Sequence, residues 1–503
     1  MQKMTDYIIV QAGGKGSRLK SLTDNKPKAL VPIFNLPMIF HLFQRFPESR
    51  FIIIADYKAE VLEKYLSAFA TVKYRIVYAT GNTGTCAGIS KALKFIPKQK
   101  PFMLIWSDLI LGKNFEVPKD VNNYVGLSTS FLCRWKFENN GFAEEPSKEY
   151  GVAGLFFFKD KQVIADVSAD GEFVRWLSKN QVSCEGFPIN DVKEFGTLPV
   201  IEQLQEEKCR PFNKIEEIDG DIVKTALDDQ GRLLAVREKA WYQAVMKKGY
   251  TYIPEIYSYE PFRMEKINGK NIYEYQNLSF EQKRDILEKI VCSLKELHNM
   301  GNRQADMFSI WEACIAKTFK RLNQVRDLIP FANNPVICIN GKKCRNVFFY
   351  QDELKKMVDS YMPDHFYMIH GDCTFSNILL KNDITPVLID PRGYYGYEEL
   401  YGDESYDWAK IYYSIKGNYD QFNRKRFSLK IEDEQVHLHI ETNGWEDMEP
   451  VFWEMLGNHI EPLYIKLFHA IIWLSLTTYA WEDYDSICGA FYNGLFYLEE
   501  ALQ

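Results

Sequence analysis

The sequence predicts an α/β chain of two domains, the first built on a mostly parallel Rossmann-like sheet and the second on two lobes of α+β structure. Three observations support this prediction. Apolar β-rich runs alternate with helical stretches up to about residue 200, the chain becomes charged and polar at 203–213, and the pattern turns helical beyond about 280. A chain of 503 residues also exceeds what one core usually holds. We therefore predict domains at 1–206 and 207–503.

The first domain is predicted from strand-like runs that helical segments separate. The runs are "YIIVQA", "RFIIIADY", "YRIVYAT", "PFMLIWSD", "YVGLSTSF" and "VAGLFFF". The intervening stretches "AEVLEKYLSAFA" and "CAGISKALKFI" have helical spacing. Strands connected in this way form a mostly parallel sheet that helices cover on both faces.

The second domain is predicted to begin with a small β-lobe at about 212–275 and to continue as a helical lobe at about 276–503. The runs "IEEID", "DIVKTALDD", "LLAVREKAW" and "PFRMEKING" indicate short strands. The stretch "FEQKRDILEKIVCSLKELHNM" has apolar residues on one helical face. Alternating polar and apolar residues at 423–443 predict a hairpin within the helical lobe.

Charge, cysteines and hydropathy limit the possible functions. The net charge of −7 provides no basic field for nucleic acid. The ten cysteines lack metal-ligand spacing, which favours reduced thiols in a cytoplasmic protein. The most apolar late stretch, around 467–481, is too short for a bilayer and is predicted to be a core helix. We expect small-molecule substrates, no nucleic acid and no membrane insertion, and leave homo-oligomerisation open.

A glycine-rich run, "QAGGKGSRL", follows the first predicted strand. Ligands collect at the carboxyl ends of parallel strands, and glycines allow the backbone to approach a triphosphate. Arg18 and Lys28 would add positive charge for the phosphates.

The continuation "SLTDNKPKALVPIFNLPMI" resembles the sugar nucleotidyltransferases and their short cytidylyltransferase relatives, over roughly residues 5–205. The resemblance implies transfer of a nucleotide from an NTP to a phosphorylated small molecule, with release of pyrophosphate and with Mg²⁺. It implies catalytic roles for Arg18 and Lys28. The implied nucleotide-binding residues are Ala12, Gly13, Gly14, Gly16, Gly84 and Thr85.

The resemblance also implies two metal-binding carboxylates in the first domain. Asp108 follows the apolar run "FMLIWS", and Glu194 precedes a Gly-Thr pair, with Asp191 as the alternative to Glu194. Many family members hold the acceptor phosphate with a lysine, but this chain has Glu145 at that place, with Lys148 as a substitute. The acceptor therefore stays open.

The second domain contains "HGDCTFSN" at 370–377 and "IDPRG" at 389–393. Phosphoryl transfer needs a group that orients the acceptor hydroxyl and ligands for magnesium. Asp372 is the predicted catalytic carboxylate, Asn377 and Asp390 are the predicted magnesium ligands, and His370 is predicted to brace the loop. These loops resemble those of the aminoglycoside phosphotransferase and choline kinase group, over roughly 212–500.

That second resemblance implies that Lys224 and a helix-borne partner, Glu238, bind the nucleotide, and that Asp403 and Asp407 brace the structure. Choline kinases commonly have a Glu shortly after the metal-binding Asp, whereas this chain has Pro-Arg-Gly, closer to kinases of sugars and aminoglycosides. Choline or ethanolamine nevertheless remains an alternative acceptor.

Together the two resemblances imply a bifunctional transferase. The second domain phosphorylates a hydroxyl of a sugar, polyol or aminoalcohol with ATP. The first domain then transfers a nucleotide from a second NTP, which is CTP, UTP or GTP, to that phosphate. Mg²⁺ is expected at both sites, and the product would serve capsule or lipopolysaccharide synthesis. A rival from another class is a nucleotide-sensing regulatory protein in which one module has lost catalysis.

Overall fold

A computed structural model describes residues 4–202, 213–227, 229–457 and 460–502. The chain divides into two units, Met1–Lys208 with Glu482–Asp485, and Cys209–Trp481 with Ser486–Gln503. The predicted boundary between residues 206 and 207 lies outside the described residues.

The first unit is built on a sheet of nine strands among the described residues. At its centre four parallel strands lie in the order Phe102–Trp106, Tyr7–Gln11, Arg50–Ala55 and Lys73–Tyr78. Three central residues of Tyr7–Gln11 are buried because helices cover both faces of such a sheet. The predicted α/β class with a mostly parallel sheet is confirmed. The strand Gly151–Phe158 departs from it, since it runs antiparallel to Phe102–Trp106.

The remaining elements of the first unit surround this centre. The other sheet strands are Tyr124–Ser128, Lys136–Glu138, Gly141–Ala143 and Glu185–Ile189. Two further strand pairs are Leu109–Leu111 with Val192–Glu194 and Pro32–Ile33 with Leu36–Pro37. The helices are Met38–Arg45, Ala59–Phe69, Ile89–Leu93, Phe173–Lys179 and Leu198–Glu202.

The second unit begins with an antiparallel sheet. Its strands lie in the order Asn213–Ile218, Asp221–Ala226, Phe262–Glu265 and Ile256–Tyr259. The prediction of a strand at "LLAVREKAW" is wrong, because these residues belong to the helix Asp229–Lys247. Leu, Ala, Arg, Glu and Lys are good helix formers, and the helix buries Trp241 and Tyr242 on one side.

The rest of the second unit is rich in helices. They are Phe280–His298, Met307–Trp311, Lys317–Val325, Gln351–Ser360, Glu404–Ile415, Tyr419–Asn423, Glu449–Leu456, Pro462–Leu476 and Tyr484–Ala501. Ser279 and Gln282 form a capping box that starts the first of them. The predicted hairpin is confirmed as Phe427–Ile431 paired with Gln435–Ile440. None of the described helices is long and apolar enough to span a membrane.

The short strands of the second unit position its loops. They are Gly269–Asn271, Asn302–Gln304, Val336–Ile339, Lys342–Arg345, His365–Met368, Ile378–Lys381, Thr385–Leu388, Tyr394–Tyr395, Glu398–Glu399 and Tyr401–Gly402. Ile378–Lys381 and Thr385–Leu388 pair as a hairpin, so the residues just before the first strand and just after the second lie side by side.

Candidate active sites

Strand pairing brings the two predicted carboxylates of the first unit together. Asp108 lies just after the central strand Phe102–Trp106, and Glu194 ends the strand Val192–Glu194. Glu194 is paired with Leu109 in this ladder, and the backbone N–H of Phe195 donates to the carbonyl of Asp108, 3.0 Å away. Burial and the neighbouring Asp108 carboxylate raise the pKa of Glu194. Two adjacent carboxylates that destabilise each other's charge are suited to a cation.

The two predicted cations lie beside these carboxylates. The Lys28 ammonium forms an ion pair with Asp108. The Arg18 guanidinium lies 4.0 Å from the Glu194 carboxylate and is 68% exposed. The structure therefore gathers Arg18, Lys28, Asp108 and Glu194, which lie far apart in the sequence, into one cluster at the carboxyl end of the central strands.

Gly196 keeps space open within this cluster. A Cβ at this position would lie 1.9 Å from Oε1 of Glu194 and 3.1 Å from Oδ2 of Asp108. Any larger residue would therefore displace the carboxylates or fill the space between them. From the sequence, the Gly-Thr pair served only to identify Glu194, and the steric requirement for a glycine at position 196 was not predicted.

The glycine-rich run forms the other wall of the first site. Gly13 lies against Asp56, where a Cβ would come within 2.9 Å of the Asp56 Cβ, and Gly16 has a φ of 69°, in the left-handed region. Ala12 is buried and its N–H donates to the carbonyl of Ile54 at 2.9 Å, whereas Gly14 has open space around it. The run thus has exposed backbone where a phosphate would approach.

Gln11, which was not predicted as a site residue, connects this run to the loop that holds the predicted nucleotide-binding residues Gly84 and Thr85. Its side-chain amide donates to the carbonyl of Thr85 at 2.6 Å, and its own carbonyl accepts from the N–H of Ser107 at 3.2 Å. Gly84, with a φ of 83°, packs directly on the backbone of Gly171. The sequence did contain a signal for Gln11, because it is a polar residue that ends a buried strand and stands directly before a glycine-rich run.

Two alternative residues of the first unit have other partners. Asp191 accepts the backbone N–H of Asn114 at 2.9 Å, and its carboxylate occupies the position where a Cβ of Gly112 would stand. It therefore braces a turn. Glu145 and Lys148 are both exposed on the chain that follows the strand Gly141–Ala143.

In the second unit, Lys224 links two carboxylates. Its ammonium lies 2.8 Å from Glu238 and 2.5 Å from Asp390. Lys224 comes from the strand Asp221–Ala226 and Glu238 from the helix Asp229–Lys247. Burial raises the pKa of Glu238 to about 7, although the adjacent Lys224 charge opposes this shift. Three predicted residues from separate segments thus meet at one point.

The buried carboxylate of Asp407 holds the loop that carries Asp372 through the backbone of that loop. Asp407 accepts the backbone N–H groups of His370 and Gly371, at 2.8 and 2.7 Å. His298 contributes a ring nitrogen 3.2 Å from the same carboxylate. His370 contacts the carbonyl of Ile389 at 3.0 Å, and burial lowers its pKa. The predicted bracing roles of Asp407 and His370 are confirmed by these contacts.

Asn377 and Asp390 lie at the open end of the hairpin formed by Ile378–Lys381 and Thr385–Leu388. The N–H of Ile389 donates to the carbonyl of Asn377 at 3.0 Å, and the Asn377 amide donates to the carbonyl of Asp372 at 2.7 Å. The hairpin therefore brings the predicted magnesium ligands next to the predicted catalytic residue. An amide oxygen and a carboxylate are oxygen ligands that Mg²⁺ accepts.

The two cations that pair with Asp372 were not predicted from the sequence. Lys410, from the helix Glu404–Ile415, lies 3.0 Å from its carboxylate, and Nε of Arg392 lies 3.2 Å from it. Arg392 was visible as the arginine of "IDPRG", but Lys410 offered no signal beyond its place on a predicted helix. The aromatic side chains of this unit pack its helices, since Trp408, Tyr413 and Trp473 are buried.

Residues 7–125 match the model of the nucleotidyl transferase family. This match and the geometry of the first unit support a nucleotidyltransferase domain in the N-terminal part of the chain. The curated relatives specify the likeness further. The chain is 24% identical over 181 residues to the mannose-1-phosphate guanylyltransferase catalytic subunit beta of Dictyostelium discoideum, covering 35% of this chain and 45% of that protein.

Other similarities are of the same kind. The chain is 30% identical over 153 residues to the mannose-1-phosphate guanyltransferase 2 of Candida glabrata, covering 29% of this chain and 40% of that protein. The chain thus spans less than half the length of these curated relatives. Among solved structures, HddC from Yersinia pseudotuberculosis is 20% identical, with a TM-score of 0.34 over 39% of this chain and 97% of that one.

Proposed function

We propose that this chain is a bifunctional transferase. Its second unit phosphorylates a hydroxyl of a small sugar or polyol, and its first unit joins the resulting phosphate to a nucleotide. The observation that carries the proposal is the convergence of Arg18, Lys28, Asp108 and Glu194 in the unit that contains the nucleotidyl transferase match.

In the nucleotidyltransferase reaction, an oxygen of the acceptor phosphate attacks the α-phosphorus of an NTP. A new P–O bond forms, the bond between the α-phosphorus and its bridging oxygen breaks, and pyrophosphate leaves. Such chemistry needs aligned reactants and neutralised charge rather than a protein nucleophile. Lys28 and Arg18 supply fixed positive charge. Asp108 and Glu194 would hold Mg²⁺, which usually binds one or two carboxylates together with substrate phosphates and neutralises phosphate charge when bound.

In the kinase reaction, the acceptor hydroxyl attacks the γ-phosphorus of ATP. The hydroxyl proton passes to Asp372, the bond to the leaving ADP oxygen breaks, and a phosphomonoester forms. Lys224, held by Glu238, would contact the phosphates of ATP. Asn377 and Asp390 would hold Mg²⁺. The support for this reaction is that the three segments carrying these groups meet around Asp372 and Asp390.

The two reactions fit in sequence, because a phosphomonoester is the kind of acceptor that a nucleotidyltransferase uses. Two of the curated relatives are named for mannose-1-phosphate, which favours a sugar phosphate as that acceptor. We propose ATP for the kinase reaction and CTP, UTP or GTP for the other. The product would be a nucleoside-diphosphate building block for a surface polysaccharide, made in the cytoplasm.

The nucleotidyltransferase reaction is tested by supplying the purified chain with Mg²⁺, each NTP and a panel of sugar phosphates, and by measuring pyrophosphate. Asp108→Asn should lower its release at least ~100-fold. The exposed Asp166 provides a control, since Asp166→Asn should have no effect. If Asp108→Asn released pyrophosphate at the wild-type rate, the first site would be wrong.

The kinase reaction is tested separately by measuring ADP formed from ATP with a panel of sugars and polyols. Asp372→Asn should lower ADP formation by about 10²–10⁴-fold, the usual contribution of a general base. Asp352→Asn, at a residue whose side chain is 82% exposed, is the control. Asp372→Asn should leave pyrophosphate release intact. Unchanged ADP formation in Asp372→Asn would refute the kinase site.

A further inference from the structure

Two basic side chains pair with the carboxylate of Asp372, and two more lie close to those cations. Lys410 and Arg392 form ion pairs with it, at 3.0 and 3.2 Å. Lys317 and Arg321 lie near these two, but within the described residues neither of them forms an ion pair with a carboxylate. Among the residues that the structure describes, Lys317 and Arg321 therefore add positive charge here without a carboxylate in an ion pair with either of them.

The four cations are held by the fold rather than gathered by flexible chains at the surface. Lys317 and Arg321 stand one turn apart on the helix Lys317–Val325, so they share a face. Arg321 donates to the carbonyl and hydroxyl oxygens of Ser475, at 2.7 and 2.9 Å. The guanidinium groups of Arg321 and Arg392 contact the same ring, that of Tyr479, at 5.5 and 5.3 Å.

Lys317 is the member of the group whose charge is most difficult to keep. Its burial and the positive charges of Arg321, Arg392 and Lys410 lower its pKa to about 7. Burial and Arg392 likewise lower the pKa of Arg321. Lys317 is only partly exposed, and a desolvated cation without a carboxylate partner is costly. Its position beside the cations that pair with the predicted catalytic carboxylate therefore marks a place where a ligand could supply the missing charge.

The nucleotide already has another cation. Lys224 lies with Glu238 and Asp390, on the sheet side of the loop, and is the residue proposed to contact the phosphates of ATP. Lys317 and Lys410 belong instead to helices of the helical lobe. The remaining reactant at Asp372 is the acceptor, whose hydroxyl must come within hydrogen-bond reach of that carboxylate.

We propose that the acceptor phosphorylated at Asp372 carries an anionic group, a phosphate or a carboxylate, and that Lys317 and Arg321 bind this group. The proposal rests on the kinase activity proposed above and specifies the class of its substrate. Arg321 offers the planar fork that suits either oxyanion, and Lys317 adds a point charge. Choline, ethanolamine and aminoglycosides would bring a further cation into the cluster and are disfavoured.

The test uses acceptors that share one skeleton and differ in charge. Glucose, glucosamine, glucose 6-phosphate and glucuronate are each supplied with ATP and Mg²⁺, and ADP formation is measured. ADP should form fastest with glucose 6-phosphate or glucuronate, and the faster of the two identifies the oxyanion. Faster reaction with glucose or glucosamine than with both anions would overturn the proposal.

A pair of variants tests the residues themselves. Lys317→Met should raise the KM of the preferred anionic acceptor at least ~10-fold, while kcat and the KM of ATP stay within ~2-fold, because one charge–oxyanion contact is removed. Lys320→Met changes an exposed lysine on the same helix and should alter nothing. A rise in the KM of ATP instead would assign the cluster to the nucleotide and overturn the proposal.

A binding measurement separates this inference from the kinase activity on which it rests. Glucose 6-phosphate is titrated by calorimetry into the wild type, Lys317→Met and Lys320→Met, without ATP. If no acceptor yields ADP but Lys317→Met alone weakens binding ~10-fold, the anion site stands and the kinase proposal fails. Equal binding by all three proteins would overturn the anion site, whatever the ADP assay gives.

Discussion

The two candidate sites differ in how their charged groups are held. In the first unit, the Arg18 side chain is 68% exposed and Glu194 is 24% exposed, whereas the paired Lys28 and Asp108 are 13% and 9% exposed, and the cluster forms where strands end. In the second unit, the side chains of Asp372 and Lys410 are 9% and 7% exposed, and Asp407 is fully buried. The first site therefore joins one buried ion pair to exposed groups at a sheet edge, whereas around Asp372 and Asp407 the second is a buried network of charges.

This difference determines what a substitution should do. At a strand edge, the backbone ladder holds the carboxylates in place, so losing one side chain should affect chemistry more than folding. In a buried network each charge depends on its partners, and removing one leaves another desolvated and unpaired. We therefore expect substitutions in the buried network of the second unit to change stability and activity together, and those at the exposed groups of the first site to change activity alone.

The largest effect is expected for Asp407→Asn. The substitution removes the charge that accepts from His370 and Gly371 and that pairs with His298. Breaking a buried pair in this way typically costs about 3–5 kcal/mol. Scanning calorimetry should show a lower unfolding temperature for one transition, and ADP formation should fall with it.

Asp352→Asn, at an exposed carboxylate of the same unit, is the matched control and should leave both the transition and ADP formation unchanged. Pyrophosphate release should survive Asp407→Asn under conditions in which the first unit remains folded. An unaltered calorimetric trace for Asp407→Asn would contradict the view that this carboxylate holds the loop.

The next effect concerns the pH dependence of stability. Burial opposes protonation of His298, but its hydrogen bond to Asp407 and the Glu404 carboxylate 3.5 Å from its other ring nitrogen outweigh burial and raise its pKa to about 9 from an ordinary value of 6.5. The protonated form is thus favoured in the folded state. Its stabilising contribution is complete below pH 6.5, where both states are protonated, and is lost as pH rises through 9. The shift corresponds to roughly 3 kcal/mol at most.

His298→Gln removes this titration. The difference in unfolding free energy between wild type and variant, measured with denaturant from pH 6 to pH 10, should shrink as pH rises through this range. Taking the difference cancels other groups, including Lys317, whose lowered pKa of about 7 acts in the opposite direction. A difference that stays constant with pH would show that His298 is neutral in the folded protein.

A smaller effect, on activity alone, is expected for Gly196→Ala. The new Cβ would lie 1.9 Å from Oε1 of Glu194, so the carboxylate must move by an ångström or more. Misplacement on this scale typically costs about 10²-fold in rate. Pyrophosphate release should fall accordingly while the calorimetric transitions stay in place.

Gly141→Ala is the control for that variant, because the nearest atom to its new Cβ would be 3.6 Å away. The pair compares a glycine at the carboxylates with one in a hairpin of the same unit. If Gly196→Ala retained full activity but destabilised the chain, the space at Gly196 would serve packing rather than the site.

The same contrast explains how much of the molecule could be predicted from sequence. The apolar runs and their spacing predict the α/β class, because period and length reflect the layered sheet directly. The antiparallel strand Gly151–Phe158 was not predicted, since an apolar run carries no information on strand direction. The helix at 229–247 was taken for a strand at "LLAVREKAW", where a short apolar run fits either structure.

The site residues follow the same rule. Asp108, Glu194, Asp372 and Asp390 were predicted because each lies in a recognisable short motif, although their catalytic roles remain predictions. Lys317, Arg321 and Lys410 were not predicted, because they are isolated basic residues on helices, where most such residues are solvated. Only the packing of separate helices brings Lys410 to Asp372 and places Lys317 and Arg321 near Arg392.

The smallest expected effect concerns Thr85, which was predicted to bind the nucleotide. Its hydroxyl accepts the N–H of Phe173 at 2.7 Å, at the start of the helix Phe173–Lys179, so the side chain already supports the fold. Thr85→Val should lower the unfolding free energy by about 1 kcal/mol, the usual value of one such hydrogen bond, and Thr85→Ser should not. If Thr85→Val instead raised the KM of the NTP more than ~10-fold without loss of stability, the hydroxyl would be a nucleotide contact. In that case a side chain of the first site would be positioned by the ligand, whereas the charged side chains around Asp372 are positioned by one another. The difference between the two sites would then be larger.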